Sequence, residues 1–263
     1  MGIDKTSKIQ IKELAEFLAL EYEDIQTPLQ KIAEHEDLCV YYDDYGNSFD
    51  GLLIYDERFY IHLNTKRGNH AGTSRGRFTL AHELGHYFID NHRIGLSKGI
   101  LPVHGSLNFK NKNQKIEREA DYFASCLLMP SERFSKDCVG NKFSFIFLSK
   151  LSVKYNVSLT ACAIRFSEIG NHPIMIVYCE DGKIVWKWCS NDFPHKYLDS
   201  ENGIIPEHSK AGEYFTKNLS INGTEQLWAA DWFKCYREDD ENNVIYEHCI
   251  PYKNKALSII WED

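Results

Sequence analysis

The chain of 263 residues is long enough for one large domain or for two modest ones. Its content of 43% hydrophobic and 13% aromatic residues excludes a disordered chain and indicates a packed core. The net charge of −8, from 30 basic and 38 acidic residues, argues against broad, charge-driven binding to nucleic acid or to anionic membranes.

The sequence also indicates a compartment. No apolar run approaches the roughly 20 residues that span a bilayer, and the first residues lack the apolar stretch of a signal peptide. The 8 cysteines are scattered without any C-x-x-C pair, so we expect reduced thiols rather than disulfides or a cysteine zinc knuckle. Together these features predict a cytoplasmic protein.

The first third of the chain predicts helices followed by a small sheet. Residues 8–20 carry apolar side chains at helical spacing, and Thr27-Pro28 is typical of a helix start with Thr27 as its cap. Three short β-prone segments separated by polar residues then predict a small antiparallel sheet: 38–41, 51–55 and 59–63. A polar stretch, 65–76, predicts a loop, and Thr79 can cap the helix that follows it.

The rest of the chain changes from helical to β-rich near Gly170. A helix is predicted over 115–129, ended by Pro130, and two more over 143–169. Beyond Gly170, Asp181-Gly182 suits a type I′ turn and predicts a hairpin of strands 174–179 and 183–189. Two further strands are predicted in the last part of the chain, over 242–250 and 256–261.

The segment His82-Glu83-Leu84-Gly85-His86 lies within the predicted third helix and contains candidate metal-binding and catalytic side chains. Residues four apart share one face of a helix, so His82 and His86 present two imidazoles to the same point. Neutral imidazole is a good zinc ligand, and Glu83 is placed to act as a general base on water without binding the metal. The alternative is a solvated helix face with incidental histidines. Buried ionisable groups are costly when unpaired, and the apolar flanks of this segment therefore favour a metal site.

A catalytic zinc site requires a third protein ligand, and Glu117 is the best candidate. Glu117 and Asp121 are four apart on the predicted helix 115–129, so they share a face. Asp121 could then accept a hydrogen bond from the outer nitrogen of a ligand histidine and fix its tautomer. Glu119 lies about 200° around the helix from Glu117, which predicts that it faces solvent.

These segments, taken in order, resemble the ImmA/IrrE family of metallopeptidases. The resemblance rests on residues 77–86, 117–124 and 127–130, and it extends over roughly residues 10–170. It implies His82, His86 and Glu117 as zinc ligands and Glu83 as the catalytic glutamate. It also implies a bacterial, phage or mobile-element origin and a protein substrate, which in this family is often a transcriptional repressor. The family often has Asn where this chain has Asp121, and either side chain can accept the orienting hydrogen bond.

We therefore expect an α+β protein: a zincin-like metallopeptidase domain over residues 1–170, then a smaller β-rich domain over 171–263 whose role no motif indicates. The predicted function is that of a Zn²⁺-dependent endopeptidase. Candidates for stabilising the oxyanion are Arg77, Tyr87, His92 and His104. If strand 59–64 is a sheet edge near the metal, an extended substrate could add to it as another strand.

Several alternatives stay open. The chain could be a regulatory or binding module that keeps zinc only as a structural element, or a toxin-like protease that acts on host proteins. A metal site closed by a fourth protein ligand would favour the module. Residues 144–168 have some features of a helix-turn-helix, but this segment has few basic residues: Lys150, Lys154 and Arg165. We therefore expect no direct binding to nucleic acid. We also expect no binding to membranes.

Overall fold

The computed structural model describes residues 3–101, 114–217, 223–235 and 242–262. The helices are α1 (Lys5–Leu20), α2 (Leu29–His35), α3 (Ser74–Phe88), α4 (Asp90–Ser97), α5 (Gln114–Leu128), α6 (Ser131–Cys138), α7 (Phe145–Tyr155), α8 (Leu159–Ile169) and α9 (Lys210–Lys217). The strands are β1 (Cys39–Asp43), β2 (Gly51–Asp56), β3 (Arg58–Asn64), β4 (Ile174–Glu180), β5 (Lys183–Cys189), β6 (Gly223–Trp228), β7 (Val244–Tyr252) and β8 (Lys255–Glu262). The α+β class is confirmed, with a small sheet near the N-terminus and a separate β-rich C-terminal sheet. None of the helices in the described parts of the chain is long and apolar enough to span a membrane.

The chain divides into two compact units: Met1–Lys136 with Leu151–Ala161, and Asp137–Lys150 with Cys162–Asp263. The predicted domain boundary at residue 170 stays a prediction. All 8 cysteines are free thiols, distributed over both units.

The first unit contains a three-stranded sheet with the order β1-β3-β2. β2 and β3 pair antiparallel, but β1 pairs with β3 in parallel, so this sheet is mixed rather than wholly antiparallel. β3 lies in the centre of the sheet, so the condition that strand 59–64 forms an edge is not met and a substrate cannot add to it as another strand. β1 and β2 are the outer strands.

The core of the first unit lies where α5 packs against both α1 and α3. α5 is lined by side chains without exposed surface, among them Phe123, Leu127 and Leu128. Burying each of these stabilises the unit by about 1.5–3 kcal/mol. Thr27 also belongs to this core, because its hydroxyl donates to the carbonyl of Leu127 at 2.7 Å. Its predicted role as the cap of α2 is wrong, since α2 begins after Pro28 without a side-chain cap.

The second unit is built on a five-stranded antiparallel sheet with the order β5-β4-β8-β7-β6. The predicted hairpin is confirmed: β4 and β5 pair around Asp181 and Gly182, whose φ angles of 51° and 72° are the positive values that a type I′ turn requires. α9 packs against β7 and β8 of this sheet. Its N-terminus is held by the fully buried carboxylate of Glu247, which accepts from the backbone N–H groups of Lys210 and Ala211.

Candidate active site and metal centre

α3 carries the histidine pair, and its capping differs from the prediction. The helix begins at Ser74, because the side chain of Thr73 accepts a hydrogen bond from the backbone N–H of Gly76 and so caps the first turn. Thr79 lies inside the helix and donates its hydroxyl to Asn69 Oδ1 at 2.7 Å. The helix therefore begins earlier than predicted, but His82 and His86 still lie four residues apart on one buried face. Their exposed surface fractions are 5% and 6%.

Close packing between α3 and α5 brings the acidic residues to this face. Gly85 lies between the two histidines, and a Cβ atom there would lie only 3.2 Å from the Cα of Ala120 and 3.1 Å from the ring of Phe123. The absence of a side chain at Gly85 therefore allows the two helix backbones to approach closely. Glu117 and Asp121, on either side of Ala120, then reach the histidines.

The structure places the donor atoms of His82, His86 and Glu117 within 4.8 Å of one another as a group that could hold a metal ion. The two Nε2 atoms are 3.1 Å apart, and the Glu117 carboxylate lies 3.3 Å from His82 Nε2 and 3.6 Å from His86 Nε2. Ligands at about 2.0–2.1 Å from one tetrahedral zinc ion lie about 3.3 Å apart. The observed spacings therefore fit zinc. Within residues 3–101, 114–217, 223–235 and 242–262, no fourth His, Cys, Asp or Glu belongs to this group.

Asp121 contacts the outer nitrogen of His82. The Nδ1 of His82 donates to Asp121 Oδ1 at 2.9 Å, which leaves the Nε2 of the neutral ring unprotonated and turned toward Glu117 and His86. Burial alone lowers the pKa of His82, but the hydrogen bonds to Asp121 and Glu117 raise it well above its ordinary value. A proton and a metal ion would therefore compete for Nε2.

Glu83 is buried beside this cluster, with 2% of its surface exposed. Its negative charge acts on His82 and contributes to the raised pKa of that imidazole. β2 passes directly over the Glu83 carboxylate, since a Cβ atom at Gly51 would lie 2.5 Å from its Oε1. Glu83 and His86 also line a small cavity with the apolar side chains of Leu53, Leu96 and Leu101.

His92 and Glu119 complete a hydrogen-bonded chain that the sequence did not reveal. His86 Nδ1 lies 3.2 Å from His92 Nδ1, and His92 Nε2 lies 3.0 Å from Glu119 Oε2. Burial lowers the pKa of His92 below its ordinary value, although Glu119 opposes the shift. The prediction that Glu119 faces solvent is wrong: Glu119 is 8% exposed, because α5 is covered on more than one side.

A cavity of about 360 Å³ opens beside the cluster and is lined by His82, Glu117 and Asp121 together with Asp50, Ser74, Arg75, Phe78, Thr79 and Ser158. Asp50 is held there by Arg75 at 2.7 Å, Asn69 at 3.0 Å and Arg67 at 3.2 Å. Burial raises the pKa of Asp50, but these donors lower it to a net value below the ordinary one. Asp50 and Arg75 therefore give the cavity a charged wall next to the candidate metal site.

The family model of the IrrE N-terminal-like domain, Peptidase M78, matches residues 33–167, which include all of these site residues. The chain belongs to this family. The resemblance to ImmA/IrrE proteins is thus confirmed, and the M78 family is one of metallopeptidases. No curated protein matches the chain. A solved structure, a Mycobacterium tuberculosis transcriptional regulator, has a similar fold: its TM-score is 0.61 and its identity 12%, over 97% of this chain and 76% of the other.

Within this M78 site, three of the candidate oxyanion donors make hydrogen bonds elsewhere. Arg77 donates to the carbonyl of Thr27 at 3.1 Å, Tyr87 donates to Glu36 at 3.1 Å, and His92 is held between His86 and Glu119. These three residues do not line the cavity beside His82. His104 lies outside the described residues.

Proposed function

We propose that this chain is a zinc-dependent endopeptidase that cleaves a protein partner, with Glu83 as the general base. The observation that carries the proposal is the convergence of three side chains that can each bind a metal ion, since His82 Nε2, His86 Nε2 and the Glu117 carboxylate lie 3.1–3.6 Å apart in a largely buried site. A proton on His82 Nε2 can be shared with Glu117, whereas a divalent cation can bind all three groups at once and neutralise the carboxylate. A set of two imidazoles and one carboxylate suits zinc and leaves a position for water.

The chain's own residues supply the proton transfers. When bound, zinc would polarise the scissile carbonyl and lower the pKa of water. Glu83 takes a proton from the attacking water as the new C–O bond forms, and it gives that proton to the amine as the C–N bond breaks. Gly51 leaves the space that the Glu83 carboxylate needs. The low exposure of Glu83 excludes competing bulk water from the reacting atoms.

The substrate is proposed to bind as an extended segment along β2. β2 is an outer strand of the small sheet and begins at Gly51, directly over Glu83. An extended peptide that pairs with an outer strand gains backbone hydrogen bonds without any sequence requirement. The cavity that contains Phe78, Arg75 and Asp50 then receives a substrate side chain next to the metal.

A transcriptional repressor is our proposed substrate class. Support comes from the resemblance to ImmA/IrrE proteins and from membership of the M78 family. The similar structure from Mycobacterium tuberculosis carries the name of a transcriptional regulator, which agrees with a role in gene regulation. A toxin-like protease that acts on host proteins would use the same site chemistry, and identification of the substrate separates the two.

Metal analysis of the purified protein tests the site. Wild type is expected to contain about one zinc per chain, and His82→Ala and Glu117→Ala are expected to lose it. Glu83→Ala should retain zinc, because Glu83 is not a ligand. Glu13→Ala, on the exposed face of α1, is the control and should match wild type. A wild-type protein that binds no divalent metal after zinc reconstitution would refute the proposal.

Substrate trapping tests the activity. Wild type and Glu83→Ala are expressed in cells of the source organism, and newly formed protein termini are compared by mass spectrometry. Wild type should generate cleavage products that Glu83→Ala lacks, and Glu83→Ala should capture the intact substrate. Loss of the general base is expected to lower the rate by about 10²–10⁴-fold. Identical peptide profiles would contradict an endopeptidase function.

A regulatory module with structural zinc is the second candidate, and the name of the fold neighbour favours it. Such a module would capture the same partner with wild type and with Glu83→Ala, and neither protein would cleave it. The cavity beside the three ligand side chains favours the enzyme, since a structural zinc site is closed by a fourth protein ligand.

A further inference from the structure

We propose that His92 and Glu119 are positioning residues for His86: they fix the tautomer and the ring orientation with which His86 presents Nε2 to the metal. The proposal rests on the metal site proposed above and extends it beyond the ligands and Asp121. It assigns a role to a buried histidine of α4 and to a carboxylate of α5 on a different face from Glu117.

The three side chains form one continuous chain of contacts. His86 Nδ1 and His92 Nδ1 are 3.2 Å apart, and His92 Nε2 and Glu119 Oε2 are 3.0 Å apart. His92 is 1% exposed and Glu119 is 8% exposed, so water does not replace these partners. The other oxygen of Glu119 pairs with Lys115 Nζ at 3.5 Å, so both oxygens of this side chain have partners.

A single placement of protons satisfies these contacts when His86 binds metal. The Nε2 of His86 must then be unprotonated, so the proton of its neutral ring is on Nδ1 and is donated to His92. His92 Nδ1 must therefore be an acceptor, which places the proton of His92 on Nε2. That proton points at Glu119, which is the only one of these three side chains that accepts without donating.

The two ligand histidines are thus supported differently. His82 donates directly to a carboxylate, Asp121, at 2.9 Å, whereas His86 reaches a carboxylate through an intervening imidazole. Groups that accept from the outer N–H of a ligand histidine orient the ring and raise its basicity. Neither ring nitrogen of His92 is available to bind the metal or a substrate, because one contacts His86 and the other contacts Glu119.

The decisive experiment replaces His92 with side chains that place a hydrogen-bond acceptor either at the position of its Nδ1 or away from it. The side-chain oxygen of Asn can occupy the position of imidazole Nδ1, whereas the amide of Gln extends to the position of Nε2. We therefore expect His92→Asn to keep zinc affinity within about threefold of wild type. His92→Gln and His92→Leu should each weaken zinc binding by about 10- to 100-fold. Affinity is measured on the full chain by competition with a fluorescent zinc chelator, and thermal unfolding of the metal-free proteins checks their folding.

Equal zinc affinities for wild type, His92→Gln and His92→Leu would overturn the proposal, as would a loss in His92→Asn equal to that in His92→Leu. In these outcomes wild type still binds zinc, so the proposed function survives while the positioning role fails. A wild type that binds no zinc refutes both.

A second measurement does not depend on the variants. Long-range ¹⁵N–¹H NMR of the zinc-loaded wild type should show the proton of His86 on Nδ1 and the proton of His92 on Nε2. The opposite tautomer at His92 would overturn the proposal even if the substituted proteins do not fold. A residue with only a packing role would not determine this tautomer.

Discussion

Each unit of the chain places a carboxylate among polar partners, fully buried in the second unit and partly buried in the first, and the two carboxylates meet different kinds of partner. In the second unit Glu247 has no exposed surface and accepts four hydrogen bonds, from the backbone N–H groups of Lys210 and Ala211, from Trp232 and from Ser258. In the first unit the Glu117 carboxylate faces two imidazole nitrogens at 3.3 and 3.6 Å. Glu247 meets donors, whereas Glu117 meets groups that would bind a metal as acceptors.

The comparison separates a structural polar cluster from a binding site without reference to a motif. A buried acceptor that is saturated by donors of its own chain stabilises the fold and needs nothing else. Imidazole and carboxylate groups that converge on one point can instead exchange a shared proton for a metal ion, because each of them can be a metal ligand. By this criterion the cluster around Glu247 is structural, and the cluster around Glu117 is the one that we propose binds a metal.

The largest effect is expected at Glu247. In Glu247→Ala the indole N–H of Trp232 and the backbone N–H groups of α9 lose their acceptor in a buried site, which should cost about 3–5 kcal/mol of unfolding free energy. All 5 tryptophans lie in the second unit, so their fluorescence during urea unfolding follows that unit. Glu201→Ala, at an exposed position, should change stability by less than about 0.5 kcal/mol. A loss below 1 kcal/mol in Glu247→Ala would contradict the structural role.

Acid should destabilise the second unit through His248. Its ring stacks on Phe145, and its Nδ1 contacts the hydroxyl of Thr224 at 2.9 Å. Burial lowers the pKa of His248 to about 4. The unfolded chain binds a proton near pH 6.5, so stability is full above that pH and falls as the pH drops toward 4, by about 3 kcal/mol. His248→Gln should lack this part of the pH dependence in urea unfolding series, and an unchanged profile would rule out His248 as its source.

Gly51 tests how closely the Glu83 carboxylate, our proposed general base, must be held. A Cβ atom in Gly51→Ala would meet Glu83 Oε1 and Thr79 Cγ2, each at 2.5 Å, and so would displace Glu83. We expect kcat/KM on the trapped substrate to fall about 10- to 100-fold, because small misplacements of a catalytic group are costly. Zinc content should not change, since the ligands lie on other residues. Loss of zinc in this variant would show that the ligand geometry, rather than the base, depends on Gly51.

The smallest effect is expected at Asp121. In Asp121→Asn the amide oxygen can still accept from His82 Nδ1, so zinc affinity should fall by only a few-fold. Asp121→Leu removes the acceptor and should weaken zinc binding by about 10- to 100-fold. Chelator competition measures both. If Asn weakens binding as much as Leu does, the charge of Asp121 matters more than the orientation it imposes on the ring.

The sequence predicted those parts of the molecule that depend on local spacing. His82 and His86, and likewise Glu117 and Asp121, are four apart on helices, and the helical period alone places each pair on one face. The turn at Asp181-Gly182 was equally predictable, because few residue pairs adopt two positive φ angles.

The features that the sequence did not predict depend on what packs against an element. The helical period places Glu119 opposite Glu117, but it cannot show that His92 of α4 covers that face. Strand propensity identifies β1 without indicating that it pairs in parallel with β3, since register depends on the sheet as a whole. Thr73 and Thr79 are both acceptable caps by residue type, and only the backbone geometry selects Thr73.

The contact between Gly85 and Ala120 has a consequence for recognising distant relatives. Because Gly85 and Ala120 set how closely α3 and α5 approach, a side chain at Gly85 or a larger one at Ala120 would move the acidic pair away from the histidines. We therefore expect relatives with this ligand geometry to have a glycine between the paired histidines and a small residue between the two acidic positions.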